Sequence, residues 1–339
     1  MNDRFLKACR REPVDATPVW FMRQAGRYMA EYRTLRQKYS MLEMCRTPEL
    51  AAQVTLQPIK LGVDAAILFS DILIPLEPMG APVEFAKGEG PVIARPVRTA
   101  KDVETLRVID PEESLGFVFE AIRMLRKELS VPLIGFAGAP FTLASYLIEG
   151  GHSTNYLLTK KLMFSDPACW NDLMARLAEV VRRFLRAQVA AGAQAVQLFD
   201  SWVGQLSVDD YETLVAPHVR HILRDLETTG VPVIHFGTGT SALLESMTRA
   251  GGTVIGLDWR VRLDEGWARV GHDHAVQGNL DPASFTAPRE VIHQRAADVL
   301  RRAGGRPGHI FNLGHGLFPE APVDEVRALV DFVHEFKHA

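Results

Sequence analysis

The feature that most constrains the fold is a repeated pairing of a short apolar run with a longer amphipathic segment. Eight such runs follow one another, and their apolarity is continuous, which is typical of strands buried on both faces of a parallel sheet. The runs cover residues 18–22, 64–70, 131–138, 193–200, 231–237, 252–258, 274–280 and 309–315. The pattern therefore predicts eight parallel strands, each followed by a helical connection.

The segments between these runs have the periodicity of helices. The clearest cover residues 46–60, 113–129, 166–191, 207–228, 282–303 and 322–337. Two of them begin at recognisable start signals, Thr47-Pro48-Glu49 and Ser165-Asp166-Pro167. Residues 75–99 differ, because Pro and Gly interrupt two short β-like runs, so we predict a hairpin insertion after the second strand.

Eight β/α alternations predict an α/β fold, a (β/α)8 TIM barrel that forms a single domain over residues 1–339. The alternative is an open doubly wound sheet, which often carries a Gly-rich turn after its first strand. Here the first strand ends in Met-Arg-Gln-Ala-Gly-Arg-Tyr, which lacks that turn. The barrel is therefore the better prediction.

Composition narrows the class of function. The net charge of −3 argues against a general nucleic-acid binder, which is usually basic. No apolar run is long enough for a membrane helix, and residues 1–13 lack the apolar centre of a signal peptide. Cys9, Cys45 and Cys169 are far apart and form no metal-binding motif, so we expect reduced thiols, no structural metal and a cytoplasmic location.

Polar residues follow the predicted strands, where the active sites of barrels lie. They are Arg23, Gln24, Arg27, Asp71, Tyr146, Asp200, Ser201, His235, Asp258, Asn279, Asp281 and His315. Because parallel strands end at one rim, we expect many of these side chains to converge there.

The arginines after the first strand are the first candidates. Arg23 and Arg27 flank Gly26, which lets the backbone approach a ligand closely. A guanidinium fork suits carboxylate or phosphate, and Arg36 in the next helix is a third cation. A structural ion pair is the alternative interpretation for these residues.

Asp71 is the only charged residue in the apolar stretch Ala-Ala-Ile-Leu-Phe-Ser-Asp-Ile-Leu-Ile-Pro-Leu. It is either a helix cap or arginine partner, or a carboxylate in a dry pocket that accepts several N–H donors or stabilises a cation. The pattern alone favours neither.

The remaining candidates are weaker. Tyr146 fits packing as well as binding, and Ser201 lies in no nucleophile motif, so a hydrogen bond to a ligand is its predicted role. His315 stands between two glycines at the barrel mouth, which favours function. Asp200, His235 and Asp258 are candidates for support behind the site, and the loop His-Phe-Gly-Thr-Gly-Thr-Ser is either an anion site or a helix cap.

Several of these segments resemble one known family. Pro-Val-Trp-Phe-Met-Arg-Gln-Ala-Gly-Arg-Tyr-Met-Ala-Glu-Tyr-Arg and Gly-Phe-Ala-Gly-Ala-Pro-Phe-Thr-Leu-Ala-Ser-Tyr-Leu-Ile-Glu-Gly resemble the two signature regions of the uroporphyrinogen decarboxylases. Three shorter segments, Phe-Ser-Asp-Ile-Leu, Gln-Leu-Phe-Asp-Ser-Trp-Val-Gly and Phe-Asn-Leu-Gly-His-Gly, resemble its other active-site segments. The likeness runs in order from about Pro13 to the C-terminal helix.

The resemblance implies a cofactor-independent decarboxylase of haem biosynthesis on a (β/α)8 barrel, assembled as a homodimer. It implies conversion of the four acetates of uroporphyrinogen III to methyls, which gives coproporphyrinogen III. It assigns catalysis to Asp71 and Arg23, with Asp71 accepting the pyrrole N–H groups. The implied substrate-binding residues are Arg23, Gln24, Ala25, Gly26, Arg27, Arg36, Asp71, Tyr146, Ser201 and His315.

Two other functions fit the same barrel. One is a zinc-dependent methyltransferase of the same superfamily, but His235 is followed by Phe236 and Gly237 with no cysteine nearby. The other is a non-catalytic tetrapyrrole-binding protein, which would keep the arginines without the chemistry. The presence of Asp71, Tyr146 and His315 together argues against this second alternative.

Overall fold

Seven short parallel strands form one curled sheet in the computed structural model, which describes residues 2–86 and 90–337. The strands of this sheet are Ala66–Ile67 (β1), Leu133–Gly138 (β4), Ala195–Asp200 (β5), Val233–Gly237 (β6), Val254–Gly256 (β7), Ala275–Gln277 (β8) and His309–Ile310 (β9), in the order β1-β4-β5-β6-β7-β8-β9. Each lies within one of the predicted runs. The parallel α/β barrel fold is therefore confirmed.

The predicted first strand is the exception. Residues 18–22 form only an isolated parallel bridge between Val19 and Phe311. They still lie between the two edges of the sheet, because Phe311 N–H donates to the Pro18 carbonyl and Asp64 N–H donates to the Val19 carbonyl, both at 2.8 Å. No longer ladder forms since the Val19 N–H donates to the Asp64 carboxylate instead of a backbone carbonyl.

The predicted hairpin insertion is also confirmed. Val83–Ala86 (β2) and Gly90–Ile93 (β3) pair antiparallel, with Val83 opposite Ile93. The turn of this hairpin, residues 87–89, lies outside the described residues. The insertion follows β1, the second of the eight runs in the chain.

Seventeen α-helices occur within the described residues, many more than the six that were clearest from the sequence. They are Arg4–Cys9 (α1), Ala30–Lys38 (α2), Met41–Arg46 (α3), Pro48–Leu56 (α4), Leu76–Met79 (α5), Ala100–Thr105 (α6), Pro111–Ser114 (α7), Gly116–Glu128 (α8), Pro140–Glu149 (α9), Leu157–Ser165 (α10), Pro167–Ala191 (α11), Val208–Leu214 (α12), Ala216–Glu227 (α13), Leu244–Ala250 (α14), Leu263–Val270 (α15), Arg289–Ala303 (α16) and Val323–Glu335 (α17). Three short 3-10 turns, Gln57–Leu61, Val203–Gln205 and Pro282–Thr286, complete the set.

Prolines explain where the predicted helices divide. The helix predicted over 207–228 is two helices, because Pro217 in the first turn of α13 has no N–H to continue the ladder of α12.

Both start signals predicted from the sequence mark real helix starts. Asp166 caps α11 by accepting from Cys169 N–H at 3.1 Å, whereas the Thr47 side chain makes no capping bond to α4.

Buried polar side chains cross the barrel interior. The Trp20 indole donates to Gln277 Oε1 at 2.9 Å, and Gln277 Nε2 donates to Gln197 Oε1 at 3.2 Å. Above them, toward the carboxyl ends of the strands, Phe199 contacts the rings of Phe136 and Phe236 at centroid distances of 5.5 and 6.0 Å. An aromatic floor thus lies beneath the rim at which the strands end.

Asp64 joins the two ends of the chain to this barrel. Its buried carboxylate accepts from the Val19 backbone, Asn2 Nδ2 and Arg4 Nη1, each at 2.8 Å, and lies 2.7 Å from His334 Nε2 on α17. One side chain therefore connects the N-terminal segment, residues 18–22 that close the sheet, and the last helix.

Two findings bear on chemistry and surroundings. Cys9, Cys45 and Cys169 are free thiols, as the sequence predicts, and all three are buried. Among residues 2–86 and 90–337, every helix is too short or too polar to cross a lipid bilayer.

Candidate active site

Four predicted residues lie close enough to influence one another electrostatically. The Arg23 cation acts on the Asp71 carboxyl, the Tyr146 hydroxyl and the His315 ring, and Asp71 acts on Tyr146. They come from distant parts of the chain. Each follows a strand of the sheet or residues 18–22, which close it, so the common rim of the sheet brings them together as expected.

Arg23 is held in an unusual conformation. Its φ of 59° is left-handed, which costs a residue with a Cβ about 1–2 kcal/mol. Its side chain lies against Gly316, where an added Cβ would come within 2.7 Å of Arg23 Cγ. Within the described residues its exposed guanidinium forms no ion pair. Strained backbone is common at functional sites, and a guanidinium without a carboxylate partner among the described residues can pair with an anionic ligand.

The rest of this loop shows which residues build it. Gln24 is fully buried, and its side chain accepts from Phe21 N–H at 3.1 Å and donates to the Ala65 carbonyl at 3.0 Å. Its backbone is engaged as well, because the Gln24 N–H donates to the Phe21 carbonyl at 3.0 Å and its carbonyl accepts from the Tyr28 hydroxyl at 2.6 Å, so Gln24 supports the loop. Ala25 and Gly26 are half-buried, while Arg27 is exposed. A Cβ on Gly26 would sit 3.1 Å from the Arg23 carbonyl, so the tight turn favours glycine there.

Asp71 fits both interpretations left open by the sequence. Its Oδ1 accepts from Leu73 N–H at 2.8 Å and so caps the turn that leads into α5. Its Oδ2 has no hydrogen-bond partner in residues 2–86 and 90–337 and is available to a ligand. Burial raises the pKa of this half-buried carboxyl, although the Leu73 N–H and the Arg23 cation each lower it. The site therefore holds an acceptor with one satisfied and one open oxygen.

Tyr146 belongs to an aromatic stack that the sequence analysis missed. Its ring lies 4.1 Å from the Trp202 ring, which lies 5.1 Å from Tyr156. Burial raises the pKa of Tyr146 to about 12, and Asp71 adds to this, so the phenol keeps its proton at neutral pH. Trp202 follows directly after Ser201 at the end of β5, so the strand-end rule would have found it. Ser201 is half-buried, and its carbonyl accepts from the Thr238 hydroxyl.

The two glycines around His315 are explained by close contacts. A Cβ on Gly314 would lie 2.3 Å from Trp259 N, and one on Gly316 would collide with the Arg23 side chain. The His315 ring meets the Trp259 ring almost perpendicularly at 6.3 Å. Burial lowers the pKa of His315, and Arg23 lowers it further. The imidazole is therefore neutral at pH 7 and can donate or accept a hydrogen bond.

Arg27 and Arg36 form an outer pair of cations. Both lower the pKa of the buried Tyr32 hydroxyl, against the larger raising effect of burial. Arg36 is exposed on α2 and donates to the Tyr39 carbonyl at 2.6 Å. Like Arg23, neither cation forms an ion pair with another described residue. This side of the rim thus presents three cations to an anionic ligand.

The candidate supporting groups lie behind the rim. Asp200 and His235 are fully buried, with 3.9 Å between their nearest oxygen and nitrogen atoms. Asp258 accepts from Gly239 N–H in the loop after β6 and from the Arg260 guanidinium. The predicted anion site of that loop is therefore occupied, at Gly239, by a carboxylate of the protein itself. Over the part of the chain that the structure describes, no three His, Cys, Asp or Glu side chains cluster as metal ligands would.

Comparison with known proteins extends these observations. The family described as uroporphyrinogen decarboxylase (URO-D) matches residues 1–336. A uroporphyrinogen decarboxylase of Sorangium cellulosum is 70% identical over 341 residues, covering 100% of this chain and 98% of the relative. One of Carboxydothermus hydrogenoformans is 62% identical over 338 residues, covering 99% of this chain and 97% of the relative.

Comparison with solved structures shows which fold the chain shares. A methyltransferase from Methanosarcina mazei superposes with a TM-score of 0.83 at 22% identity, covering 99% of this chain and 98% of that one. At this identity the likeness shows a shared barrel and does not extend to the reaction. The family match and the sequence identity over the full length are much more specific than this structural likeness. The chain therefore belongs to the uroporphyrinogen decarboxylase family.

Proposed function

We propose that the rim described above binds uroporphyrinogen III and converts its four acetate side chains to methyls without a cofactor, giving coproporphyrinogen III. Uroporphyrinogen decarboxylase activity in haem biosynthesis follows from membership of the family. The observation that carries the finer proposal is the convergence of Arg23, Asp71, Tyr146 and His315 from four separate chain segments. Three cations that pair with no carboxylate of the described residues suit a substrate that has eight carboxylates.

Asp71 is assigned to the centre of the macrocycle. Its open Oδ2 accepts pyrrole N–H groups, while Oδ1 stays on Leu73 N–H and fixes the orientation of the carboxylate. An aspartate suits this position because a carboxylate only accepts hydrogen bonds, and four pyrrole donors converge there. The same negative charge stabilises a cation that forms on the ring during the reaction.

The proposed reaction uses the pyrrole itself as the electron sink. A proton adds to a ring α-carbon and makes a cationic, iminium-like ring. The bond to the carboxylate then breaks, carbon dioxide leaves, and the released electron pair neutralises the ring. The exocyclic carbon takes up a proton to become a methyl, and loss of the ring proton restores the pyrrole.

The first step of this scheme requires a proton donor. Arg23 is placed to orient the reacting acetate, but a guanidinium releases its proton too reluctantly to act as the acid. Tyr146, with a pKa of about 12, serves better as a hydrogen-bond donor to carboxylates. His315 is neutral at pH 7 because its pKa is lowered, so a water or a substrate carboxylic acid fits the role better.

We further propose that residues 1–339 form a single domain, that the protein is a homodimer, and that it works in the cytoplasm on a free tetrapyrrole. These points rest on the resemblance to the family and on the absence of a membrane-spanning helix from the described residues. Sedimentation velocity of the purified chain tests the dimer, and a monomer at micromolar concentration would contradict it.

The experiment that tests the proposed function is anaerobic turnover. Metal-stripped protein is mixed with uroporphyrinogen III, no cofactor is added, and the oxidised products are separated by carboxylate number. We expect the four-carboxylate product, formed through species with seven, six and five carboxylates. Tight binding with all eight carboxylates retained would refute decarboxylation and support the tetrapyrrole-binding alternative, whereas turnover that needs added metal would refute cofactor independence.

A further inference from the structure

A cavity opens beside the candidate active site, on the flank of the barrel. It has a volume of about 600 Å³ and lies between the segment 259–263 after β7, the segment 279–281 after β8, and the outer face of α16. This volume is in the range of sites for small ligands. Trp259 and Arg260 form its end nearest to the site, because the Trp259 ring contacts His315. We call this cavity the flank groove.

The lining of the flank groove combines two kinds of surface. Apolar side chains are contributed by Trp259, Val261, Leu263, Leu280, Val291 and Val299. Guanidinium groups are contributed by Arg260, Arg262, Arg295, Arg301 and Arg302. An apolar surface set among arginines fits a ligand with an apolar body and several peripheral anions, since it allows burial and ion pairing together.

The charges of the lining are not balanced within it. Its five arginines face two aspartates, Asp281 and Asp298. Three further acids, Asp258, Asp264 and Glu265, pair with these arginines from outside the lining. Each of the five arginines therefore has at least one carboxylate within 4.0 Å, and the arginines differ in how closely that carboxylate approaches.

Two of the arginines have N–H donors that form no hydrogen bond to a carboxylate of the described residues. Arg295 comes no closer than 4.0 Å to Asp281, and Arg301 no closer than 4.0 Å to Asp298. Both distances exceed hydrogen-bond length. Their side chains are 54% and 65% exposed, so a ligand carboxylate can reach them without breaking an existing bond to a carboxylate.

Arg260 connects the groove to the active site. It is bonded to Asp258, which is 1% exposed, at 2.6 Å, and it lies 4.0 Å over the Trp259 ring. These contacts hold a half-exposed guanidinium at the junction. Its positive charge lowers the pKa of His315, so it is electrostatically coupled to the site. An anion in the groove and a substrate at the rim would therefore share one wall, formed by Trp259 and Arg260.

We propose that the flank groove is a second binding site for the tetrapyrrole carboxylates, which keeps a partly decarboxylated substrate beside the active site between successive steps. The inference rests on the proposed function and deepens it. Four acetates must reach one set of catalytic residues in turn, so the macrocycle has to reorient three times. The open guanidinium groups of Arg295 and Arg301 retain it during these reorientations, because a few remaining ion pairs slow its escape.

Binding stoichiometry tests the site directly. The probe is uroporphyrin, the stable oxidised macrocycle with eight carboxylates, titrated calorimetrically into the full chain. We expect the double variant Arg295→Ala/Arg301→Ala to bind one molecule fewer per chain than the unmodified protein. The matched control is Arg123→Ala/Arg224→Ala, which removes the same charge from two exposed helix arginines elsewhere on the barrel. Equal stoichiometry in all three proteins would overturn the proposal.

A chase experiment tests what the site does. Labelled uroporphyrinogen is bound first, an excess of unlabelled substrate is added, and labelled species with seven, six and five carboxylates are measured in solution. The groove variant should release these intermediates several-fold more, with an unchanged rate of the first decarboxylation. Release equal to that of the control pair would refute retention.

The two proposals fail in different ways. If no protein decarboxylates, the proposed function is wrong, while the stoichiometry still tests the groove. If the groove variant becomes monomeric in sedimentation and keeps its number of probe sites, the groove is a contact between two copies of the chain, and the proposal of a tetrapyrrole site is overturned.

Discussion

Replacement of Asp71 by Asn separates charge from shape at the centre of the site. The Asn carbonyl oxygen can still accept from Leu73 N–H, which Asp71 Oδ1 holds at 2.8 Å, so the local turn should persist. The open Oδ2 becomes an NH₂ group. That group donates where the proposed pyrrole N–H groups also donate, and it carries no negative charge.

The size of the effect follows from this change. Loss of one well-placed electrostatic contact costs about 3–4 kcal/mol of transition-state stabilisation. This corresponds to a fall in kcat of roughly 10²- to 10³-fold. Enzymes as a class lower barriers by at least about 8 kcal/mol, so Asp71→Asn should keep measurable residual turnover. The assay is anaerobic decarboxylation of uroporphyrinogen III under saturating substrate.

The stability of Asp71→Asn provides the control, and the direction of the expected change follows from the pKa of Asp71. Burial raises the pKa of Asp71, so its carboxyl group keeps its proton to a higher pH in the native state than in the unfolded chain. The contribution of this group to stability is present below the unfolded pKa and is lost as pH rises through the native pKa. Asn carries no charge to bury, so Asp71→Asn should be at least as stable at pH 7. Near-normal kcat in a folded variant would refute the role of Asp71, and a large loss of stability would refute the account of its burial.

Three further predictions concern Asp64, Arg23 and the pH dependence of activity. Asp64→Ala should lower the free energy of unfolding by about 3–5 kcal/mol in urea, because it leaves the buried Val19 N–H without its acceptor and removes one of the two carboxylate partners of Arg4. Asp15→Ala, which removes a 74% exposed partner of the same Arg4, should cost less than about 1 kcal/mol, and equal losses would contradict the role of burial. Arg23→Lys should keep the fold but lower kcat/KM roughly 10- to 100-fold, since one ammonium replaces a fork that binds a carboxylate through two bonds; a change of less than threefold would argue against that fork. Activity should fall on acidification at a higher pH than an ordinary carboxyl would give, because the raised pKa of Asp71 must be exceeded for the carboxylate to form; a pH–rate profile with no such shift would contradict this.

Much of the fold could be predicted because it depends on local pattern. Continuous apolar runs identify strands that are buried on both faces, and seven of the eight runs contain a sheet strand. Residues 18–22 could not be predicted in detail. Whether Val19 N–H donates to a backbone carbonyl or to the Asp64 carboxylate depends on a side chain 45 residues away, and no local pattern contains that choice.

The residue types of the site could also be predicted, whereas their partners could not. Arg23, Asp71 and His315 stand out because each is a polar residue at the end of an apolar run or between glycines. The sequence does not reveal that Gln24 is used up in fixing its loop, since its partners Phe21 and Ala65 are set by the folded loop. The strand-end rule, applied to polar residues alone, passes over Trp202, although this ring directly follows Ser201 at the end of β5.

The sequence by itself thus determined the alternation of strands and helices, the rim at which polar residues gather, and the family. Only the tertiary structure decided which groups meet there: Arg23 against Gly316, Tyr146 against Trp202, and Asp71 with one oxygen bound and one open. It also placed the flank groove beside His315 through Trp259. The physical reason is that burial and hydrophobic periodicity are encoded locally along the chain, whereas contacts between segments far apart in sequence are fixed only when the sheet closes.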